Sequence, residues 1–131
     1  MFLMGARAAK RILVVEDNFV TREALLMVLS EQGYEVEGAA DGHEALACLE
    51  QREQPGLILL DLAMPRMNGW QFLEQRQRNP GLAGIPVIVL SAEDRAVGSG
   101  VRCLGADDFL SKPVDPEVLL QVVERYCGRA D

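Results

Sequence analysis

Asp61 closes the apolar run Leu57-Ile58-Leu59-Leu60 and opens the turn-forming stretch Met64-Pro65-Arg66-Met67-Asn68-Gly69. A short run of large apolar residues after Pro55-Gly56 reads as a fully buried parallel strand. An unpaired carboxylate is excluded from such a strand by its desolvation cost. At the strand's carboxyl end it lies where open α/β sheets bind ligands. Three further junctions repeat the pattern. Glu16-Asp17 follows Arg11-Ile12-Leu13-Val14-Val15, Ser91 follows Ile85-Pro86-Val87-Ile88-Val89-Leu90, and Lys112-Pro113 follows Asp107-Asp108-Phe109-Leu110. Each junction alone has an ordinary explanation: Asp61 starting a loop, Glu16-Asp17 and Ser91 as helix caps, Lys112 as a solvated lysine. Jointly they put every polar group at the same end of one sheet.

The chemistry of that set is specific. Three carboxylates at one rim repel each other and bind a hard divalent cation, and magnesium favours oxygen ligands while keeping several waters. With a metal and Lys112 beside it, Asp61 stays ionised and can act as a nucleophile. A phosphoryl group attacked there would have its oxygens neutralised by the metal and Lys112 and hydrogen-bonded by Ser91. Among the 13 basic residues only Lys10 and Lys112 are lysines. A compact, flexible ammonium suits a point contact to a carboxylate or phosphoryl oxygen.

Strand and helix signals alternate along the chain and supply the elements that hold these residues. The first strand covers 11–15, and Asp17 or Asn18 caps a helix to about Gln32 with Val20, Ala24, Met27 and Val28 on one face. Gly33 ends that helix. Residues 34–38 alternate as a strand with one exposed face, and Asp41-Gly42-His43-Glu44 opens a helix to about Arg52. After the strand at 57–60, a third helix starts near Asn68-Gly69 and buries Phe72 and Leu73. The strand at 85–90 precedes a glycine-interrupted helix over 94–104, whose Gly98 and Gly100 each cost a helix about 1 kcal/mol relative to alanine. That makes it the expected least stable element and the moving part of any switch. Asp115-Pro116-Glu117 is a strong helix start, with Leu119, Val122, Val123 and Tyr126 following at helical spacing. Five strands alternating with five helices give an α/β doubly wound parallel sheet with helices on both faces.

Bulk properties bound the function. A chain of 131 residues with 49% hydrophobic and 25% charged residues is one ordinary globular domain. The net charge of −7 argues against direct binding to nucleic acid or anionic membrane. Arg7, Lys10 and Arg11 are too few for a phosphate footprint. Cys48, Cys103 and Cys127 match no zinc or redox spacing and read as reduced core thiols in a cytoplasmic protein. The single His43 reads as an exposed helix residue. No apolar run reaches membrane-spanning length, and residues 1–9 read as a loose extension.

The chain resembles the receiver domain of two-component response regulators over about residues 10–127, leaving 128–131 as a tail. The residues carrying this are Ile12-Leu13-Val14-Val15-Glu16-Asp17-Asn18, Leu59-Leu60-Asp61-Leu62-Ala63-Met64-Pro65-Arg66-Met67-Asn68-Gly69, Val89-Leu90-Ser91-Ala92 and Gly105-Ala106-Asp107-Asp108-Phe109-Leu110-Ser111-Lys112-Pro113. The resemblance implies a flavodoxin-like fold with strand order 2-1-3-4-5, whose ligand site lies at the switch point. It implies that Asp61 accepts a phosphoryl group from a histidine kinase or phosphotransfer protein. Magnesium would be organised by Glu16 (through water), Asp17, Asp61 and the Ala63 carbonyl. Ser91 and Phe109 would couple phosphorylation to a rearranged surface that an output protein or domain reads, in a monomer or weak dimer. The same resemblance raises the expectation of a cis peptide between Lys112 and Pro113, against a low general frequency.

Rival classes fare worse. A magnesium phosphatase with an aspartyl nucleophile wants a second acid two residues on, where Ala63 stands. A nucleotide- or flavin-binding module wants a Gly-x-Gly-x-x-Gly after the first strand, which is missing. A degenerate receiver acting only as a protein-interaction scaffold stays open. No output domain follows Asp131, so the expectation is a stand-alone regulator or an excised receiver.

Overall fold

The computed structural model describes residues 11–51, 54–64, 67–92, 100 and 102–129. Five strands, β1 (Arg11–Val15), β2 (Glu35–Ala39), β3 (Leu57–Asp61), β4 (Val87–Ser91) and β5 (Asp108–Ser111), pair in parallel in the order β2-β1-β3-β4-β5. Four helices accompany them among the described residues: α1 (Phe19–Glu31), α2 (Gly42–Gln51), α3 (Gly69–Arg78) and α4 (Pro116–Cys127). The architecture is the expected flavodoxin-like one. The helix anticipated over 94–104 lies mainly outside the described residues, as does the extension over 1–9.

Strand residues alternate between two faces, which is why the central strands are apolar throughout. Leu13, Val15, Ile58, Leu60, Val87 and Val89 meet Ala45 and Leu49 of α2 and Phe72 and Leu73 of α3. Ile12, Val14, Leu57, Leu59, Ile88 and Leu90 meet Leu25 and Leu29 of α1 and Leu119, Val122 and Val123 of α4. No described helix is long and apolar enough to cross a membrane.

The face expected for α1 needs correction. Leu25 and Leu29 are its buried residues, whereas Val20 is 75% and Met27 61% exposed. Residues 24–29 are apolar without interruption, so their periodicity selects no face. The pair Leu25 and Leu29, which shares a core cluster with Val14 and Leu59, is decided by the helix's docking on the sheet. Of the cysteines expected in the core, Cys127 is buried there, whereas Cys48 is half-buried and Cys103 exposed. His43 is exposed on α2, as its isolation in the sequence implied.

One glycine fixes how α3 meets the end of β3. Gly69 donates its N–H to the Leu62 carbonyl at 3.0 Å. A Cβ on Gly69 would lie 2.7 Å from both the Asp61 carbonyl oxygen and Leu62 Cα. These are backbone atoms that cannot yield by a rotamer change. Gly69→Ala is therefore expected to destabilise the fold by about 1–3 kcal/mol. Urea denaturation measures this, and a loss below about 0.5 kcal/mol would mean that α3 shifts freely.

Candidate phosphoryl-acceptor site

Strand register builds the site one residue beyond the ladder. Val15 pairs with Leu60, so Glu16 and Asp61 come next to each other. Asp61 pairs with Leu90, which places Ser91 one step further, and Ser91 pairs with Ser111, which precedes Lys112. The Lys112 N–H donates to the Ser91 carbonyl at 2.8 Å. Four strands thus deliver Glu16, Asp61, Ser91 and Lys112 to one rim, beside β1, where the chain's strand order reverses.

Glu16 (1% exposed), Asp61 and Ser91 are buried, and Asp17 is exposed. Asn18 caps α1, accepting the Thr21 N–H at 2.9 Å, which leaves Asp17 to the rim. The carboxylates of Glu16, Asp17 and Asp61 offer oxygens within 4.8 Å of one another. The Lys112 ammonium donates to Glu16 Oε1 at 2.8 Å and to Asp61 Oδ1 at 3.1 Å. Asn18 N–H donates to the other Glu16 oxygen at 3.1 Å. Among the described residues, every buried polar side-chain atom has a hydrogen-bond partner.

One cation thus serves two buried carboxylates with a third nearby. Burial pushes the Glu16 carboxyl above its ordinary range, and the Asp61 charge adds to this; Lys112 and the Asn18 N–H oppose it without cancelling it. Burial alone would lower Lys112, but its hydrogen bonds and proximity to Glu16 and Asp61 hold its ammonium above the ordinary lysine value. The excess negative charge and all-oxygen donor set fit a hard divalent cation.

These shifts carry a pH prediction. Lys112→Met leaves two buried carboxylates without their cation, a loss expected to be about 3 kcal/mol at pH 8. One carboxyl then takes up a proton in the folded state over a window above the ordinary glutamate value of 4.5. There the folded state binds more protons than the unfolded chain, so the variant's stability falls as pH rises through that window. Wild-type Lys112 behaves differently: its contribution is complete below the ordinary lysine value and is lost only as pH rises through the raised one. Urea denaturation in EDTA at pH 5 and pH 8 should show the smaller penalty at pH 5. Equal penalties would mean that Lys112 does not neutralise the carboxylates.

The remaining expected positions are placed as follows. Ala63 is exposed, two residues past Asp61. Phe109 pairs with Val89 and is partly buried against the α2–α3 side of the core, as are Leu104 and Trp70. The Lys112–Pro113 peptide is cis. Two arginines outside the sequence motifs also contact backbone carbonyls. Arg22 donates from Nη1 to the Glu16 carbonyl at 2.8 Å, and no motif announces that contact. Arg76 is buried and donates to the carbonyls of Ala83, Ile85 and Gly105. Its signal was available: position 76 falls three and four residues after Leu73 and Phe72, on the apolar stripe.

Known proteins align with this arrangement. A family model of the response regulator receiver domain matches residues 12–124. Protein PilH of Pseudomonas aeruginosa is 36% identical over 115 residues, covering 86% of this chain and 93% of PilH. The response regulator MprA of Mycolicibacterium vanbaalenii is 44% identical over 112 residues, which are 84% of this chain and 47% of MprA. The chain therefore spans nearly all of the first relative and about half of the second. Among solved structures, the receiver domain of a sensor histidine kinase from Pseudomonas aeruginosa PAO1 superposes with a TM-score of 0.81 at 28% identity, covering 90% of this chain and 97% of that one. That structure has a magnesium ion coordinated in its active-site cleft.

Proposed function

From the premise that this chain belongs to the response regulator receiver family of two-component signalling, we propose that Asp61 accepts a phosphoryl group from a phosphohistidine protein. The observation that carries this reading is Lys112 bridging Glu16 and Asp61 within a cluster of three carboxylates. An Asp61 oxygen attacks phosphorus, the bond from phosphorus to the donor's histidine nitrogen breaks, and the imidazole leaves. Lys112, already hydrogen-bonded to Asp61, moves to a phosphoryl oxygen and offsets its charge. Ser91, one residue past the partner of Asp61, donates its hydroxyl to another phosphoryl oxygen. Phe109, in register with Val89, transmits that movement to the surface that an output protein or domain reads.

Glu16, Asp17, Asp61 and the Ala63 carbonyl would hold magnesium, with Glu16 acting through water. When bound, the ion neutralises negative charge on the transferring group. Beside Lys112, a groove of about 600 Å³ between α1 and α4 is lined by Val20, Ala24, Leu25, Pro113 and Val114. It offers the donor protein an apolar face next to Asp61 and gives the exposed Val20 a role.

The test is intact-mass analysis after incubation with a small phosphodonor, with magnesium or with EDTA. A phosphoryl adduct that requires magnesium supports the reading. No adduct in either condition would replace it with an interaction scaffold that does not use phosphorylation. Magnesium at a hundredfold excess over its dissociation constant should also stabilise the fold by about 2.7 kcal/mol. Asp17→Ala should lose most of that response, and a melting temperature indifferent to magnesium would reject the metal site.

A further inference from the structure

We propose that Arg22 is a positioning residue for the cation site, acting through the peptide plane that joins Glu16 to Asp17. This rests on the metal reading above. The β1–β2 ladder ends where Glu16 N–H donates to the Ala39 carbonyl at 2.9 Å. The Glu16 carbonyl lies beyond that ladder and needs another donor, which Arg22 supplies at 2.8 Å. That carbonyl and the Asp17 amide belong to one rigid plane. Anchoring the oxygen therefore sets the direction in which Asp17 leaves β1. Lys112 and the Asn18 N–H hold the Glu16 carboxylate itself, so the free variable at this corner is Asp17, the exposed member of the acidic trio.

The guanidinium is braced in place. Its stem crosses Gly38 of β2, where a Cβ would lie 3.0 Å from Arg22 Cδ and 3.4 Å from Cγ. Its Cζ lies 5.5 Å from the centroid of the Phe19 ring. A side chain held by strand, ring and carbonyl is preorganised, as outer contacts of metal sites are. Arginine suits the post because its planar guanidinium presents several N–H donors in a fixed geometry.

A purely structural role for Arg22 makes a different prediction, and magnesium titration calorimetry on EDTA-stripped protein separates the two. Arg22→Met keeps a stem of similar length along Gly38 but loses the donor, and Arg22→Lys retains one. Arg22→Met should weaken magnesium binding about 10-fold and Arg22→Lys by less. In an Asp17→Ala background, where the positioned ligand is gone, Arg22→Met should change the affinity less than about twofold. A change below about twofold in the wild-type background, or the same factor in both backgrounds, overturns the proposal. Wild-type protein that takes up no magnesium would overturn the metal reading itself, a distinct result.

Discussion

Asp61→Asn is expected to abolish phosphoryl uptake while leaving the fold intact. Asparagine preserves the shape of the side chain at the end of β3, so the packing of Leu60 and Leu62 around it survives. It removes the anionic oxygen that attacks phosphorus. Neither neighbour is placed to substitute. Glu16 is 1% exposed, with one oxygen on Lys112 and the other on the Asn18 N–H. Asp17 is exposed and receives no hydrogen bond from Lys112 among those that hold the ammonium. The stability expectation comes from the charge balance. Asp61 is one of the causes that raise the Glu16 carboxyl above its ordinary range. Neutralising it removes that repulsion together with the Asp61–Lys112 attraction, so stability in EDTA should stay within about 1 kcal/mol of wild type. Intact-mass labelling alongside urea denaturation reads both quantities. Equal labelling of wild type and variant would reject Asp61 as the acceptor. Lost labelling accompanied by unfolding would leave the acceptor to be found by peptide mapping of the wild-type adduct.

Arg76→Met should have the opposite signature, a large stability loss with the chemistry retained. Arg76 is 3% exposed in the last turn of α3. Its Nε lies 3.2 Å from the Ile85 carbonyl, Nη2 lies 3.0 Å from that of Ala83, and Nη1 lies 3.4 Å from that of Gly105. One planar fork therefore ties α3 to the segments entering β4 and β5. Burial pulls its pKa below the ordinary arginine value, and the nearby Asp107 charge opposes that. Methionine fills similar volume but strands the buried Ile85 carbonyl, which accepts from both Nε and Nη2; Ala83 is exposed, so its carbonyl can turn to water. An unsatisfied buried acceptor costs about 1–3 kcal/mol, so a loss of about 2 kcal/mol is expected. Arg76→Lys should recover little, because a single ammonium cannot span three carbonyls. The site lies at the carboxyl ends of the strands and these carbonyls at the amino ends, so labelling at low temperature should persist. A loss under about 1 kcal/mol would mean that water replaces the guanidinium.

Much of the molecule was legible in the residues themselves, for reasons that can be named. Apolar runs of strand length, punctuated by caps and glycines, impose element order, and continuous burial in β1, β3 and β4 imposes a parallel sheet covered on both faces. Charge cannot enter such strands, so Glu16 and Asp61 fall at strand ends on one rim of the parallel sheet; β5, which carries Asp108, brings Lys112 there through the register of Ser111 with Ser91. The face of α1 was not legible, because residues 24–29 are apolar all round and only docking on the sheet chose Leu25 and Leu29 over Val20 and Met27. The exposure of Cys103 was equally undecided, since a thiol's tolerance of either environment leaves no local trace. Arg22 reads as an ordinary helix arginine, and Arg76 is marked only by its place on the apolar stripe of α3, which announces burial but no partner. Their partners are backbone carbonyls, which every residue carries and no sequence distinguishes. Only the tertiary structure decides which carbonyl is left without a ladder partner and which long side chain comes within reach of it.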